Sequence, residues 1–332
     1  NPKPQTPNPK PQTPNPIISN YSICMRKVRD AYYKGFLYPE SEKELNETLS
    51  SFLGSARTEL LDIDIVKCLV VPMDGYNNIA ETMAYAYKQI IDSQCDAIRR
   101  VYIIGPSKLP LLLGCAISTS HEFSTPFGPI PVCREALSEL LPNPDQPDPS
   151  KFKFLKADLD FEEDEFFVEL NLPFLKKILK EDFSILPIYI GQLDPEELTQ
   201  LAEVLSPHFA RPDSLFIICS NFCRWGDVHH FTGHDATHGE IFEHVDRLDK
   251  DCMRIIERQT AKSLNEYISS LKLKIDGKQV LELMMMIFEK QNKAEMPLTM
   301  RFVRYSQSTH VTSPEQNSIS YAGGLAYISK NR

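Results

Sequence analysis

The sequence predicts an α/β protein built on a parallel or mixed β-sheet flanked by helices. Short, largely apolar runs of strand length recur at 66–72, 101–104, 185–190 and 215–219. Between them lie stretches whose apolar residues fall three and four positions apart, the period of an amphipathic helix. The chain, 332 residues at 42% hydrophobic and 24% charged, is also long enough to bury the core that such layers need.

The elements follow in order. Residues 1–14 are two copies of Asn-Pro-Lys-Pro-Gln-Thr-Pro, followed by Asn15 and Pro16. Proline at every second or third position permits neither helix nor ladder, so this stretch reads as extended polyproline II or a disordered tail. Residues 1–16 could dock to a proline-recognising domain, although composition favours a plain tail. The chain therefore divides into a Pro-rich tail over 1–20 and a single α/β domain over 21–330. Ser41 and Glu44 have capping-box spacing, and Leu45, Leu49, Phe52 and Leu53 continue from them as a helix. The strand at 66–72 leads through Asp74, Gly75 and Tyr76 to a helix carrying Ile79, Met83, Ala86 and Ile90. The strand at 101–104 ends in Gly105, Pro106 and Ser107, and residues 142–149 form a Pro/Asp-rich excursion. Asp194 and Pro195 open a helix between the strands at 185–190 and 215–219, since Asp caps and Pro suits the first helical position. Helices over 241–256 and 280–288 precede two β-rich stretches at 298–305 and 318–329. Met284, Met285 and Met286 sit in a helix apolar on most sides, which reads as core packing.

Bulk properties narrow the function. A net charge of -9 without a Lys/Arg cluster argues against nucleic acid. The apolar runs are too short to span a bilayer, and the first residues lack the apolar stretch of a signal peptide. A start at Asn rather than Met reads as a fragment or processed form. Eight irregularly spaced cysteines do not form a disulfide framework, so a reduced, cytoplasmic setting is expected.

In sheets of this class ligands lie beyond the carboxyl ends of the strands. The loops there read Pro72-Met73-Asp74-Gly75-Tyr76, Gly105-Pro106-Ser107-Lys108-Leu109 and Ser220-Asn221-Phe222-Cys223-Arg224-Trp225-Gly226. They resemble the Pro-His-Ala-Gly-Tyr, Gly-Pro-Ser-His-His and Ser-Asp-Phe-Cys-His-Trp-Gly loops of the Memo family. Residues 165–173, Glu-Phe-Phe-Val-Glu-Leu-Asn-Leu-Pro, are similar to its Glu-His-Ser-Ile-Glu-Met-His-Leu-Pro, and Gly239-Glu240-Ile241, Leu248-Asp249-Lys250 and Ser320-Tyr321-Ala322-Gly323-Gly324 extend the match. The likeness runs in order from about residue 24 to 328. It implies an extradiol-dioxygenase-like fold in which, in metal-binding members, two His and one Cys hold iron or copper. It also implies redox or intracellular signalling roles, including binding of phosphotyrosine peptides.

The ligands themselves depart from that pattern. Met73 and Lys108 stand where the two His are expected, and Asp276 where the Cys is expected. The accessory His positions read Phe166, Asn171 and Arg224, and the acidic partner of the last reads Asn221. An ammonium has three donors and no lone pair to give, and a thioether is a soft, weak ligand. The expectation is a non-catalytic protein with no catalytic residue, cofactor or resident metal. Its cleft would draw on Met73, Asp74, Tyr76, Lys108, Asn221, Arg224, Trp225, Glu240 and Asp276. A protein or phosphopeptide partner, or a small anion held by Arg224 and Lys108, would suit it. The alternative is an iron- or copper-dependent redox or dioxygenase-like enzyme with a rearranged ligand set. Glu165, Glu169 and Glu240 are expected near the cavity with Asp276. Lys108 either pairs with Asp276 or a nearby Glu, or points to solvent at the cleft mouth.

Two rival sites are weaker. His229, His230, His234 and His238, with Asp235, could form a displaced metal site, but their spacing matches no recognised motif and exposed loop histidines fit better. Cys219 and Cys223 flank a bend with Arg224 beside the second, yet no His base is visible in that loop, which favours structural thiols.

Overall fold

The apolar runs pair into one mixed nine-stranded sheet in the computed structural model, which describes residues 26–59, 65–90, 92–109, 112–141, 152–180, 182–294 and 297–329. The repeat at 1–14, the tail assigned to 1–20 and the excursion at 142–149 lie outside the described residues. The strands are β1 (Ile65–Val71), β2 (Arg100–Pro106), β3 (Cys115–Ser118), β4 (Phe154–Ala157), β5 (Ser184–Ile190), β6 (Ser214–Cys219), β7 (Arg224–Trp225), β8 (Thr299–Gln307) and β9 (Ser318–Ile328). Their order is β7-β9-β1-β6-β2-β5-β3-β4, with β8 also on β9. The four central strands, β1, β6, β2 and β5, are mutually parallel, while β9 joins β1 and β3 joins β5 antiparallel. Such central strands are buried on both faces, which is why they read as continuous apolar runs rather than alternating ones.

Register places the site. Val71 is level with Cys219, and Ile104 is level with both Ile218 and Ile188. The carboxyl ends of β1, β6, β2 and β5 therefore stop together, and the loops at 72–75, 107–109 and 220–223 leave the sheet side by side. The helices Glu42–Ser55, Tyr76–Tyr87 and Phe166–Ile178 pack on one face. The helices Pro195–Ala210, Ile241–Glu257, Ala261–Leu271 and Lys278–Lys293 form the other layer. None of the helices among the described residues is long and apolar enough to cross a membrane.

Local chemistry explains both agreements and differences. Asp194 caps its helix, accepting from the N–H groups of Glu196 and Glu197, while Glu197 accepts from the Asp194 N–H. Ser41 also precedes a helix, but its side chain makes no capping bond, so that box is present only as spacing. The helix Phe166–Ile178 was hidden by Pro173 in its interior and by apolar residues on nearly every side. It is held by a buried ion pair. Glu169 takes the Arg29 guanidinium, the N–H groups of Tyr32 and Tyr33 at 3.0 and 2.8 Å, and the Tyr38 hydroxyl at 2.6 Å. Glu169 thus anchors the segment at 29–38 to this helix rather than facing the strand ends. Gly105 is needed where β2 meets the same helix, because a Cβ there would stand 2.6 Å from the Phe167 ring.

Candidate functional site at the carboxyl ends of the strands

Three loops meet at the level strand ends. The first is clamped to the third by an amide. The Asn221 side chain accepts the Met73 N–H at 2.8 Å and donates to the Met73 carbonyl at 2.9 Å. Met73 is buried beneath this clamp. Asp74 is committed to its own turn, accepting from Gly75 N–H at 2.7 Å, from Asn78 at 3.2 Å and from the Tyr321 hydroxyl. Tyr76 turns inward, its hydroxyl donating to the Leu170 carbonyl at 2.7 Å and its ring lying among Tyr38 and Phe174. It belongs to the core beneath the site.

The second loop is fixed by Glu165. One carboxylate oxygen accepts from the Ser107 hydroxyl at 2.5 Å and from the Lys108 N–H at 2.8 Å; the other is buried without a partner. Burial raises the Glu165 pKa, and the Ser107, Lys108 and Leu109 hydrogen bonds oppose that rise. The Lys108 side chain then lies with Nζ 3.4 Å from the centroid of the Phe166 ring. Lys108 as a residue is exposed, yet the ammonium is partly dehydrated against that ring. Its pKa is lowered first by this burial and also by Arg224, against the opposing pull of Asp276, Glu165 and Asp74.

The expected Lys108–Asp276 pair does not form. Asp276 instead receives Arg224, whose Nη1 lies 3.0 and 2.9 Å from the two carboxylate oxygens. The backbone aims the two at each other: the Arg224 N–H donates to the Lys274 carbonyl at 2.9 Å, and the Ser220 hydroxyl donates to the Asp276 carbonyl. Gly277 then turns at φ +79, where a Cβ would stand 3.0 Å from the Cys219 carbonyl, and the helix Lys278–Lys293 begins. Arg224 Nε is buried without a partner. His229, grouped by sequence with the histidine stretch, lies close enough for Arg224 to lower its pKa, after burial, and for Asp276 to oppose that. It sits at the end of the short 3-10 turn Asp227–His229 that follows Gly226.

The remaining predicted residues lie elsewhere. Trp225 is fully buried on β7 against β9, with its indole N–H unpartnered. Glu240 is exposed at the start of the helix Ile241–Glu257, where its N–H donates to Glu243 at 2.9 Å. Asn171 is buried, bonded to the Tyr87 hydroxyl at 2.7 Å and the Phe167 carbonyl at 2.7 Å. The site thus brings together Met73, Asp74, Lys108, Asn221, Arg224 and Asp276 with Glu165, as expected, and Phe166, adds His229, and leaves out Tyr76, Trp225 and Glu240.

The rival sites resolve into other chemistry. His238 stacks on His244 with Nδ1 atoms 2.9 Å apart, and His234 meets the Gly239 carbonyl at 2.9 Å. Among the described residues no group of three or more His, Cys, Asp or Glu side chains is placed to hold a metal ion. Cys219 and Cys223 are buried, with burial pushing both thiols well above their ordinary pKa, the opposite of a reactive thiol.

Beside the ion pair a cavity of about 260 Å³ opens between Ser107, Ile190 and Gly277. Two cations, Lys108 and Arg224, stand among three carboxylates, Asp276, Glu165 and Asp74, and Arg224 Nη1 is already shared between both oxygens of Asp276. Such an arrangement can hold a ligand by exchange, an incoming anion competing with Asp276 for the guanidinium.

Residues 29–325 match the family described as Memo-like protein. The chain is 30% identical to Protein MEMO1 of Xenopus laevis over 314 residues, covering 94% of this chain and 100% of that protein. It is 30% identical to the memo-1 homolog of Caenorhabditis elegans over 306 residues, covering 91% of this chain and 83% of that one. MEMO1 of Homo sapiens is 28% identical over 314 residues, covering 94% and 100% respectively.

Proposed function

The chain belongs to the Memo family, and within it we propose a non-catalytic protein that uses the cleft at the strand ends to bind a partner. The observation that carries this reading is the donor set at the positions matching the family's metal ligands. There stand a thioether buried under the Asn221 clamp, an ammonium laid on a phenyl ring, and one carboxylate bonded to a guanidinium. Non-haem iron and copper take imidazole, carboxylate or thiolate lone pairs. A protonated amine offers none, which leaves the Asp276 carboxylate, already paired with Arg224, as the sole hard donor of the three. The residues present do not fit such a metal.

The ligand class follows from what can be exchanged. A phosphate, or the phosphate of a phosphotyrosine side chain, presents paired oxygens that replace the Asp276 carboxylate on Arg224, with Lys108 near enough to add a second contact. The protein then acts in the cytoplasm as a binding or signalling module. Thermal-shift titration with a phosphotyrosine peptide, its unphosphorylated twin and inorganic phosphate tests this, because a ligand specific to the native state raises the melting temperature. The expected result is a saturable rise with the phosphorylated peptide that disappears in Lys108→Ala and Arg224→Ala. Equal responses to both peptides would overturn the ligand class.

A further inference from the structure

A second cavity, next to the one at Gly277, is lined by a buried carboxylate with one oxygen lacking a hydrogen bond. A groove of about 480 Å³ runs between the helices Pro195–Ala210, Ala261–Leu271 and Lys278–Lys293. Its floor is apolar, formed by Leu193, Leu198, Ala261 and Met286. Set into this lining is Glu282, which is 91% buried and whose Oε1 has no hydrogen-bond partner. Lys278 Nζ stands 3.8 Å from it, an ion-pair distance rather than a hydrogen bond, and that ammonium already donates to Asn265 at 2.7 Å.

The other polar groups of the groove are engaged. The Gln279 amide bonds the Leu193 backbone in both directions, at 3.3 and 2.5 Å. Glu289 accepts the Ala261 N–H at 3.3 Å, and Lys262 is an exposed rim residue facing Glu266 at 3.8 Å. What the groove lacks is a donor for one buried carboxylate oxygen. Volumes of about 300–1,000 Å³ with an apolar lining and few polar groups are typical of small-molecule sites. A buried polar atom without a partner is costly to leave unmade.

We propose that this groove binds a small apolar amine, its hydrocarbon body on Leu198, Ala261 and Met286 and its ammonium donating to Glu282. A carboxylic acid in the same place would meet Glu282 charge to charge, and an alcohol would supply the body and a neutral donor only. Lys278 and Gln279 also line the cavity beside Gly277, so an occupant of the groove abuts the turn that carries Asp276. The proposal is independent of whether the strand-end cleft is catalytic.

The test titrates the full chain, methyl-labelled at methionine, with hexylamine, hexan-1-ol and hexanoate, following the Met286 methyl resonance. Hexylamine is expected to give a saturable shift, with hexan-1-ol at least about tenfold weaker, the difference a charge-assisted hydrogen bond makes. Hexanoate is expected to give none. Glu282→Gln, which keeps the side-chain volume, should bring the amine down to the alcohol. Thr199→Trp, from an exposed position on the groove wall, should block both and serves if the Gln variant does not fold. Equal affinity for amine and alcohol, no saturation, or an amine preference surviving Glu282→Gln would overturn the proposal.

Discussion

Asp249→Asn should make the protein more stable at neutral pH and leave it nearly unchanged in acid. Asp249 is fully buried on the helix Ile241–Glu257, accepting the Cys223 N–H at 3.0 Å and the Tyr305 hydroxyl at 2.8 Å. Burial, only partly offset by those bonds and by Ser320, pushes its pKa from an ordinary 3.8 up to about 6. A carboxyl whose folded pKa is raised contributes stability that is fully present below the unfolded value and is lost as pH rises through the folded one. The window is therefore about pH 4 to pH 6, and the gap converts to about 3 kcal/mol. Asparagine keeps the shape and never ionises. Its oxygen accepts from Cys223, and its amide donates to Tyr305, whose proton can turn to Ser320 Oγ, 3.2 Å away. Urea unfolding of both proteins from pH 4 to 8 measures the effect. The difference between variant and parent should grow by about 3 kcal/mol in the variant's favour across that window. A difference that stays flat with pH would refute the reasoning.

Three further substitutions probe the frame and the site. Glu169→Gln leaves the Arg29 guanidinium buried without its counter-charge and should destabilise by about 3–5 kcal/mol in the same urea assay. Gly277→Ala must adopt φ +79 with its Cβ against the Cys219 carbonyl, so a loss of about 1–3 kcal/mol is expected in chemical denaturation. Asp276→Asn frees Arg224 from a pair that is about one-third exposed on both sides. Its stability should change by less than about 1 kcal/mol, while the thermal shift given by a phosphotyrosine peptide should increase.

How much of this was legible in the sequence differs between frame and site. Buried parallel strands announce themselves because both faces must be apolar, and β1, β2, β5 and β6 fall within one or two residues of the expected runs. Asp194 and Glu197 form the box their spacing suggests, whereas Ser41 shows that spacing without the bond is insufficient. The strands β3 and β4, four residues each, were too short to stand out from their surroundings. In the site, the loops were readable from their place after strands, but the pairing within them was not. Sequence supplied two cations and several carboxylates. The choice of Arg224 over Lys108 as the partner of Asp276 depends on backbone bonds to Lys274 and from Ser220, across some fifty residues of chain. Tyr76 illustrates the same limit: its neighbours in sequence face the cleft, while its ring completes the aromatic cluster with Tyr38 and Phe174.

The side chains at the family's ligand positions are expected not to hold a redox metal. Elemental analysis of the purified chain, loaded anaerobically with iron(II) or with copper and then desalted, tests this most directly. The expected result is clearly sub-stoichiometric metal, unchanged in Asp276→Asn. One full equivalent of iron or copper, retained through desalting and lost in Asp276→Asn, would contradict it.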